Sequence, residues 1–424
     1  MSQRPAPSVR EKLAWCLFDF ANSSYTTVIL TVVYARYFVG VIIEGDQWHG
    51  LHEDTWWAAA GVISNLVVIF SAPIIGALAD RVAGKKRYLL FSTIACVVAT
   101  ASLSLWGAGM VIPALVCVIL ATTAFSTGEN LIAGFLPELA KPDEMGRLSA
   151  YGWTIGYFGG LGALGVALFL VESDNTALVP AATAAFFALA ALPTFVFLSE
   201  RASPVASRVR PFEAAFGGLR KTWRERRRWR DLFTFLGAIL LFQGGVYIVV
   251  SFAAIYAEQE IGMADTDIIL MFIALQVAAA LGAYAFGFIQ DHGGSRRALL
   301  LSLAVWIAAV LLAWQAFTAN GIWVAGMLAG VAMGSSQSAS RALVGMFCPP
   351  GREGEWFGLW GLATKASAVL GLAWYGILMA LTDDRRFAIL MALPLFVGGL
   401  VVLAFVNPER GRAAAANGIT AAEP

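Results

Sequence analysis

The chain has 424 residues, 59% of them hydrophobic and 13% charged, with a mean hydropathy of +0.72. Soluble domains run nearer half apolar and a quarter charged, so this composition excludes an ordinary water-soluble protein and makes the bilayer the expected solvent. A formal net charge of +1 carries no global signal for nucleic acid.

The first ten residues, MSQRPAPSVR, are polar, and no short apolar stretch with a small-residue cleavage site follows. A removable signal peptide is therefore not expected, and the first apolar segment reads as a permanent helix. Stretches of spanning length follow at Leu13–Phe38, Trp56–Ala79, Tyr88–Trp106, Met110–Leu136, Ser149–Val171 and Leu178–Leu198. After a basic gap come Leu232–Tyr256, Thr266–Ile289, Ala298–Phe317, Gly321–Phe347, Trp356–Leu381 and Phe387–Val406. Six plus six predicts an all-α integral membrane protein. Its parts are an N-terminal six-helix bundle (1–200), a cytoplasmic basic linker (201–230) and a C-terminal six-helix bundle with a tail (231–424).

Cations follow alternate helices. Arg81, Lys85, Lys86 and Arg87 come after helix two, Arg296 and Arg297 after helix eight, and ten more lie between Arg201 and Arg230. Loops of the other parity hold Glu44, Asp46, Glu53, Asp54, Glu172, Asp174, Glu258, Glu260, Asp265 and Asp267. The positive-inside rule then puts both termini in the cytoplasm of a multi-pass protein, with Arg385 and Arg386 as exceptions. The run RKTWRERRRWR reads as a linker facing anionic lipid, able to form a short amphipathic helix on the membrane surface.

The halves repeat. GALADRVAGKKR after helix two returns as GFIQDHGGSRR after helix eight, and GRLSAYGW opening helix five is matched by GEWFGLWG opening helix eleven. Such repeats predict two similar bundles with a substrate site between them. In the first motif Gly76 allows close helix approach, Asp80 can clasp a neighbouring helix in one conformation, and Arg81 faces the cytoplasm. Asp291 matches Asp80 in the second copy, which also carries Arg296, so these five are the candidate gating residues.

Asp19, Glu129, Arg341 and Lys365 fall inside apolar stretches, each at a cost of roughly 2.5–3.5 kcal/mol at mid-bilayer. They are expected at similar depths, six to nine residues from the cytoplasmic ends of their helices. Acids in one half and bases in the other suit a zwitterion, or a salt bridge between the halves that locks one state. Asn22 and Thr26 follow Asp19 at helical spacing, and Gln337 precedes Arg341 by one turn, in the place that Glu129 holds in the first half. Asp19, Asn22, Glu129, Gln337, Arg341 and Lys365 are the candidate substrate-binding or coupling residues. Gln243, Tyr247 and Gln276 are further hydrogen-bonding candidates.

No phosphate loop, HExxH or GxSxG occurs, so neither an enzyme nor a primary pump is expected, and no cofactor is implied. His49 and His52 lie beside Glu53 and Asp54 in what reads as a solvated loop, and no metal site is assigned there. Cys16, Cys96, Cys117 and Cys348 show no CxxC spacing and are expected as free thiols.

At these motifs the chain resembles the major facilitator superfamily, and more narrowly its autophagy-related vacuolar effluxer branch. FDFANSSYTTVILTVVY, LSAYGWTIGYFGG, LQVAAALGAYAFGFIQDHGGSRRALLLSL, GSSQSASRALVGMFCPP and EWFGLWGLATKAS carry that resemblance. It implies a twelve-helix major facilitator fold, rocker-switch transport and export of amino acids from a compartment. Two positions depart from it: Gly244 stands where an acid is expected, and Ala133 where an asparagine is. The expected function is secondary active transport of a small polar solute, amino acids first, with protons as the coupling ion. The expected place is a bacterial cytoplasmic membrane, as a monomer. A lipid, drug or peptide cargo is the alternative, with Trp153, Trp306, Trp314, Trp360 and Trp374 as cavity lining or interfacial anchors. A non-transporting receptor comes last.

Overall fold

A backbone in hydrocarbon has no water to bond, so each crossing must satisfy its own amides, and helices do so within one segment. The computed structural model describes residues 7–45, 47–82, 84–140, 142–200, 224–349 and 353–420. Thirteen helices carry the fold. They are α1 (Val9–Ser24), α2 (Glu53–Val82), α3 (Lys85–Ser102), α4 (Val111–Ala133), α5 (Pro142–Glu172) and α6 (Val179–Phe197). Then come α7 (Arg230–Gln259), α8 (Asp265–Gly293), α9 (Ser295–Gln315), α10 (Ala319–Met346), α11 (Glu353–Thr382), α12 (Leu393–Ala404) and α13 (Pro408–Thr420).

Among the described residues, eleven helical stretches are long and apolar enough to cross a membrane. The remaining expected crossing is α10. It has spanning length but carries the polar run Ser335, Ser336, Gln337, Ser338, Ser340 and Arg341, which marks it as a helix built for more than lipid contact. Large apolar side chains such as Phe91, Phe169, Leu189 and Phe405 lie more than 60% exposed along these helices. In water that would be an aggregation surface; in a bilayer it is the lipid-facing surface.

The chain forms two compact units, Met1–Ala215 and Phe216–Pro424. Within the first, the main packing pairs are α1 with α5 and α6, α4 with α2 and α3, and α3 with α6. Within the second they are α7 with α11 and α12, α10 with α8 and α9, and α9 with α12. Adding six to each helix number of the first unit gives the second, so the repeat seen in the motifs is a repeat of packing.

Glycine sets the closest crossings. A Cβ on Gly159 of α5 would run into the Phe20 carbonyl of α1, and one on Gly371 of α11 into the Gly244 carbonyl of α7. The departure at Gly244 thereby has a physical reason: its own Cβ would lie 3.3 Å from the Ser367 carbonyl, which leaves little room for an acidic side chain.

Several boundaries differ from expectation. α1 runs on into wider, π-type turns over Tyr25–Val32, where Val33 N donates five residues back to Val28 O at 2.9 Å. The twelfth crossing is broken into Arg385–Leu390 and α12, and the fifth begins at Pro142 rather than Ser149. Of the basic linker only the end from Arg224 is described. The rest of that expectation, surface helix included, lies outside the described residues.

The loop between the first two crossings corrects the solvated-loop expectation. Gln47–Trp48 and Leu51–His52 form a hairpin closed by His49 (φ 51°) and Gly50 (φ 74°), the doubly left-handed pair that suits a two-residue turn. His52, Glu53 and Asp54 are buried at its base, where α2 begins.

Candidate functional site

In the first unit, Asp19 sits half-buried on α1, its carboxylate against α5 where a Cβ on Gly152 would have to go. One turn on, Asn22 is 7% exposed, and its Oδ1 accepts no hydrogen bond among the described residues. The helix is fixed there by Trp15 Nε1 donating to Ile132 O at 2.8 Å and by a 2.9 Å bond between Tyr25 Oη and Thr122 Oγ1, both joining it to α4. Glu129 lies half-buried on α4, one turn beyond the buried Ser126.

In the second unit, Gln337 and Arg341 lie one turn apart on α10, both half-buried. The Arg341 guanidinium lies over the Trp360 ring of α11 at 5.8 Å, a distance at which the ring face attracts a cation. Trp360 is held in turn by Nε1 donating to Ser340 Oγ at 3.3 Å. From α7, Gln243 Nε2 donates to Gln337 Oε1 at 3.4 Å. Lys365 is half-buried on α11, between the buried Thr364 and Ser367. So the polar candidates of this unit gather where α7, α10 and α11 pack together.

Counted from the helix ends, the four intramembrane charges do not keep the expected six to nine residues. Asp19 lies ten residues inside Val9 and Lys365 twelve inside Glu353, whereas Glu129 and Arg341 lie four and five from Ala133 and Met346. The helices overrun the apolar stretches unequally, so hydropathy limits misplace their ends.

Of the gating candidates, Gly76, Asp80 and Arg81 lie on α2 and Asp291 on α8, but their side chains fall outside the described ones. Arg296 is described. Its Nε donates to Leu403 O at 3.3 Å and its Nη2 to Ala404 O at 2.6 Å, which caps the last turn of α12. Its counterpart Lys86 does the same in the first unit, donating to Leu198 O at 2.6 Å just past α6.

Around Lys86 the structure assembles residues that the sequence did not flag. Glu200 accepts from Lys85 N (2.7 Å) and Lys86 N (3.4 Å), an acid on the open N-terminus of α3. Lys85 Nζ pairs with Glu138 at 3.0 Å. At the other end of the second unit, Arg386 bridges Glu260 at 3.3 Å and donates to Trp314 O and Ala316 O at the end of α9. That local neutralisation explains how a cation breaks the loop-charge pattern. Arg36, also unflagged, is 4% exposed near the end of the first crossing, with Nε donating to Val32 O.

The tryptophans divide. Trp306 is 1% exposed, stacked on Phe396 and bonded to Ser336, so it is core rather than cavity lining or anchor. Trp153, Trp314 and Trp374 are over a third exposed, and only Trp360 stands beside the polar cluster. The ligand atoms of His52, Glu53 and Asp54 lie within 4.8 Å of one another, and Asp54 N donates to His52 Nδ1 at 3.3 Å. The four cysteines are free thiols.

Residues 58–416 match the model of a family described as vacuole effluxer Atg22 like. Over 411 residues the chain is 23% identical to an uncharacterized MFS-type transporter, YxiO of Bacillus subtilis (strain 168), covering 94% of this chain and 95% of that one. Over 195 residues it is 27% identical to autophagy-related protein 22 of Candida glabrata, covering 43% of this chain and 36% of that protein. The chain thus spans nearly all of the bacterial relative and about a third of the fungal one. Its structure resembles that of the xylose transporter XylE from E. coli in a partially occluded inward-open conformation. The TM-score is 0.71 at 14% identity, over 94% of this chain and 97% of that one, a likeness of fold.

Proposed function

Because the chain belongs to the vacuole effluxer Atg22-like family of major facilitator transporters, we propose that it carries a small polar organic acid, amino acids first, by alternating access coupled to protons. The observation that carries this reading is the polar cluster on α10 and α11. Arg341 is held over Trp360, with Gln337 one turn away and Lys365 on the facing helix, in segments that otherwise read as lipid-soluble.

In this reading Arg341 and Lys365 take the carboxylate of the solute. A planar guanidinium binds a carboxylate through two parallel hydrogen bonds, and the ring beneath it limits its rotation. Asp19 or Glu129 takes up the proton. A carboxylate withdrawn from water favours its neutral form, so a step that desolvates it couples proton uptake to the state of the carrier. Asp80 and Asp291 act at the cytoplasmic gate. The carrier works as a monomer in the cytoplasmic membrane of a bacterium, with both termini in the cytoplasm.

Counterflow of labelled amino acids into proteoliposomes, with and without an inward proton gradient, tests the reading. Accumulation enhanced by the gradient and abolished by Arg341→Ala is expected. No uptake of any amino acid by folded, correctly inserted protein would sink it and turn attention to an amphipathic cargo resting on Trp360.

A further inference from the structure

Five arginines and one glutamate lie in residues 224–230, the stretch that leads into α7. It is a tight turn: Arg228 N and Trp229 N both donate to Glu225 O, at 2.9 and 3.3 Å. Trp229 turns inward. It is 3% exposed, stands edge-on to the buried Trp356 of α11 with ring centroids 4.9 Å apart, and donates from Nε1 to Glu225 at 3.2 Å. The arginines turn outward, and all five are exposed.

Like charges so close repel one another, and the acids beside them are engaged. Glu225 accepts from the Trp229 indole, and Asp231 is bound to Arg410. Arg224, Arg227 and Arg230 follow at three-residue spacing, which sets them along one side of the turn. None of these three forms an ion pair among the described residues. Arg230 is two residues from Leu232, the first apolar residue of the crossing, so the turn lies at the height where lipid headgroups begin. The loop charges assign this end of α7 to the cytoplasmic leaflet, whose negative surface attracts basic segments beside a crossing.

We infer that this turn is a docking site for the headgroups of anionic phospholipid, with Arg224, Arg227 and Arg230 as its contacts to phosphate. A guanidinium takes two phosphate oxygens at once and is more weakly hydrated than an ammonium. The stack of Trp229 on Trp356 already fixes the backbone of the turn, so little further ordering is needed when a headgroup binds. Trp356 lies one turn before Trp360, so the lipid-held turn abuts the end of α11 that leads to the polar cluster. The linker expected to face anionic lipid thereby acquires named contacts on its described end. The inference does not depend on the proposed solute.

Native mass spectrometry of the full-length protein in detergent, titrated with phosphatidylglycerol or phosphatidylcholine, reads the binding directly. Wild type is expected to bind phosphatidylglycerol at least about tenfold more tightly, since each cation near an anionic surface contributes about fivefold. Arg224→Gln, Arg227→Gln and Arg230→Gln combined should lower that preference at least about fivefold, and each alone should lower it in part. Lys at the same three positions should keep most of it, because the charge remains. All three side chains are exposed, so the melting temperature without added lipid should not move. A matched control, Arg87→Gln with Arg297→Gln and Arg412→Gln, removes three exposed cations elsewhere and should leave the preference within about twofold of wild type. No preference in wild type, or a preference unmoved by the Gln variants, would overturn the site. An equal loss in the control would overturn it too, by showing a diffuse positive field in place of a docking turn.

Discussion

Lys86 donates to the Leu198 carbonyl at 2.6 Å, and Arg296, its counterpart in the second copy of the motif, donates to Ala404 at the same distance. In each unit a cation at the start of the third helix closes the end of the sixth. The helix end offers unpaired carbonyls and the negative pole of the helix dipole, so a fixed cation there satisfies both. Lys86→Met should cost about 1 kcal/mol of unfolding free energy, and Lys86→Arg should recover most of it. Denaturation in mild detergent with increasing SDS measures both. A midpoint unmoved by Lys86→Met would show that the contact contributes nothing.

Two glycines of α5 predict opposite outcomes. A Cβ at Gly159 meets the Phe20 carbonyl, whereas a Cβ at Gly165 meets nothing within 4 Å. Gly159→Ala should force α1 and α5 apart and destabilise by about 1–3 kcal/mol. Gly165→Ala should be neutral or mildly stabilising, since alanine favours the helix. Equal melting temperatures for the two variants would contradict the close crossing. In the second unit Gly371→Ala against Gly361→Ala repeats the comparison.

Much of the fold was legible because spanning helices announce themselves by length and apolarity alone. The motif copies announced the repeat of packing, whereas the contacts of Lys86 and Arg296 with the helix ends came only with the structure. What escaped was what hydropathy does not encode. Glu200 and Glu138 sit more than fifty residues from Lys85 in sequence and carry no local pattern, and they became visible only when α3, α4 and α6 were packed. The π-type turns after Ser24 are equally hidden, because a bond five residues back leaves the composition of a helix unchanged. Arg36 was passed over because a single further charge barely lowers the mean hydropathy of a 34-residue crossing. Of the candidate site, the residue types were legible. Their grouping around Trp360 and the burial of Gln243 were not, since both depend on how α7, α10 and α11 turn toward one another.

The tail is fastened by one acid. Asp231, the second residue of α7, accepts from Asn407 N at 2.8 Å and from Arg410 Nε and Nη2 at 2.6 and 2.8 Å. The hydrogen bond to Asp231 pushes the Arg410 pKa above its usual value. A raised pKa in a cation means that its contribution is fully present below the unfolded value and is lost only in strong alkali, so the fastening should be constant across neutral pH. Arg410→Gln should expose α13 to trypsin at Arg412 several-fold faster than in wild type while the bundle stays intact. Limited proteolysis followed by mass spectrometry reads the site of cleavage, and unchanged kinetics would show that α13 is held by its other contacts, such as Gly411 against Phe347.

Asp19 offers the sharpest test of proton coupling because Asn keeps its size and hydrogen bonding while removing the titration. Its carboxylate fills the space that Gly152 leaves open, so the shape-preserving variant should fold. If Asp19 carries the proton, Asp19→Asn should keep exchange of labelled solute within a few-fold of wild type, since exchange needs no net proton movement. Accumulation driven by an inward proton gradient should fall to the level seen without one, because the step that desolvates this side chain no longer has a charge to neutralise. The comparison of exchange with accumulation in the same proteoliposomes separates coupling from binding, which a loss of total activity would not. Accumulation that still follows the gradient would take the proton from Asp19. The same pair of measurements on Glu129→Gln would then decide whether the carboxylate on α4 carries it, and a gradient effect surviving both variants would remove proton coupling from these two acids altogether.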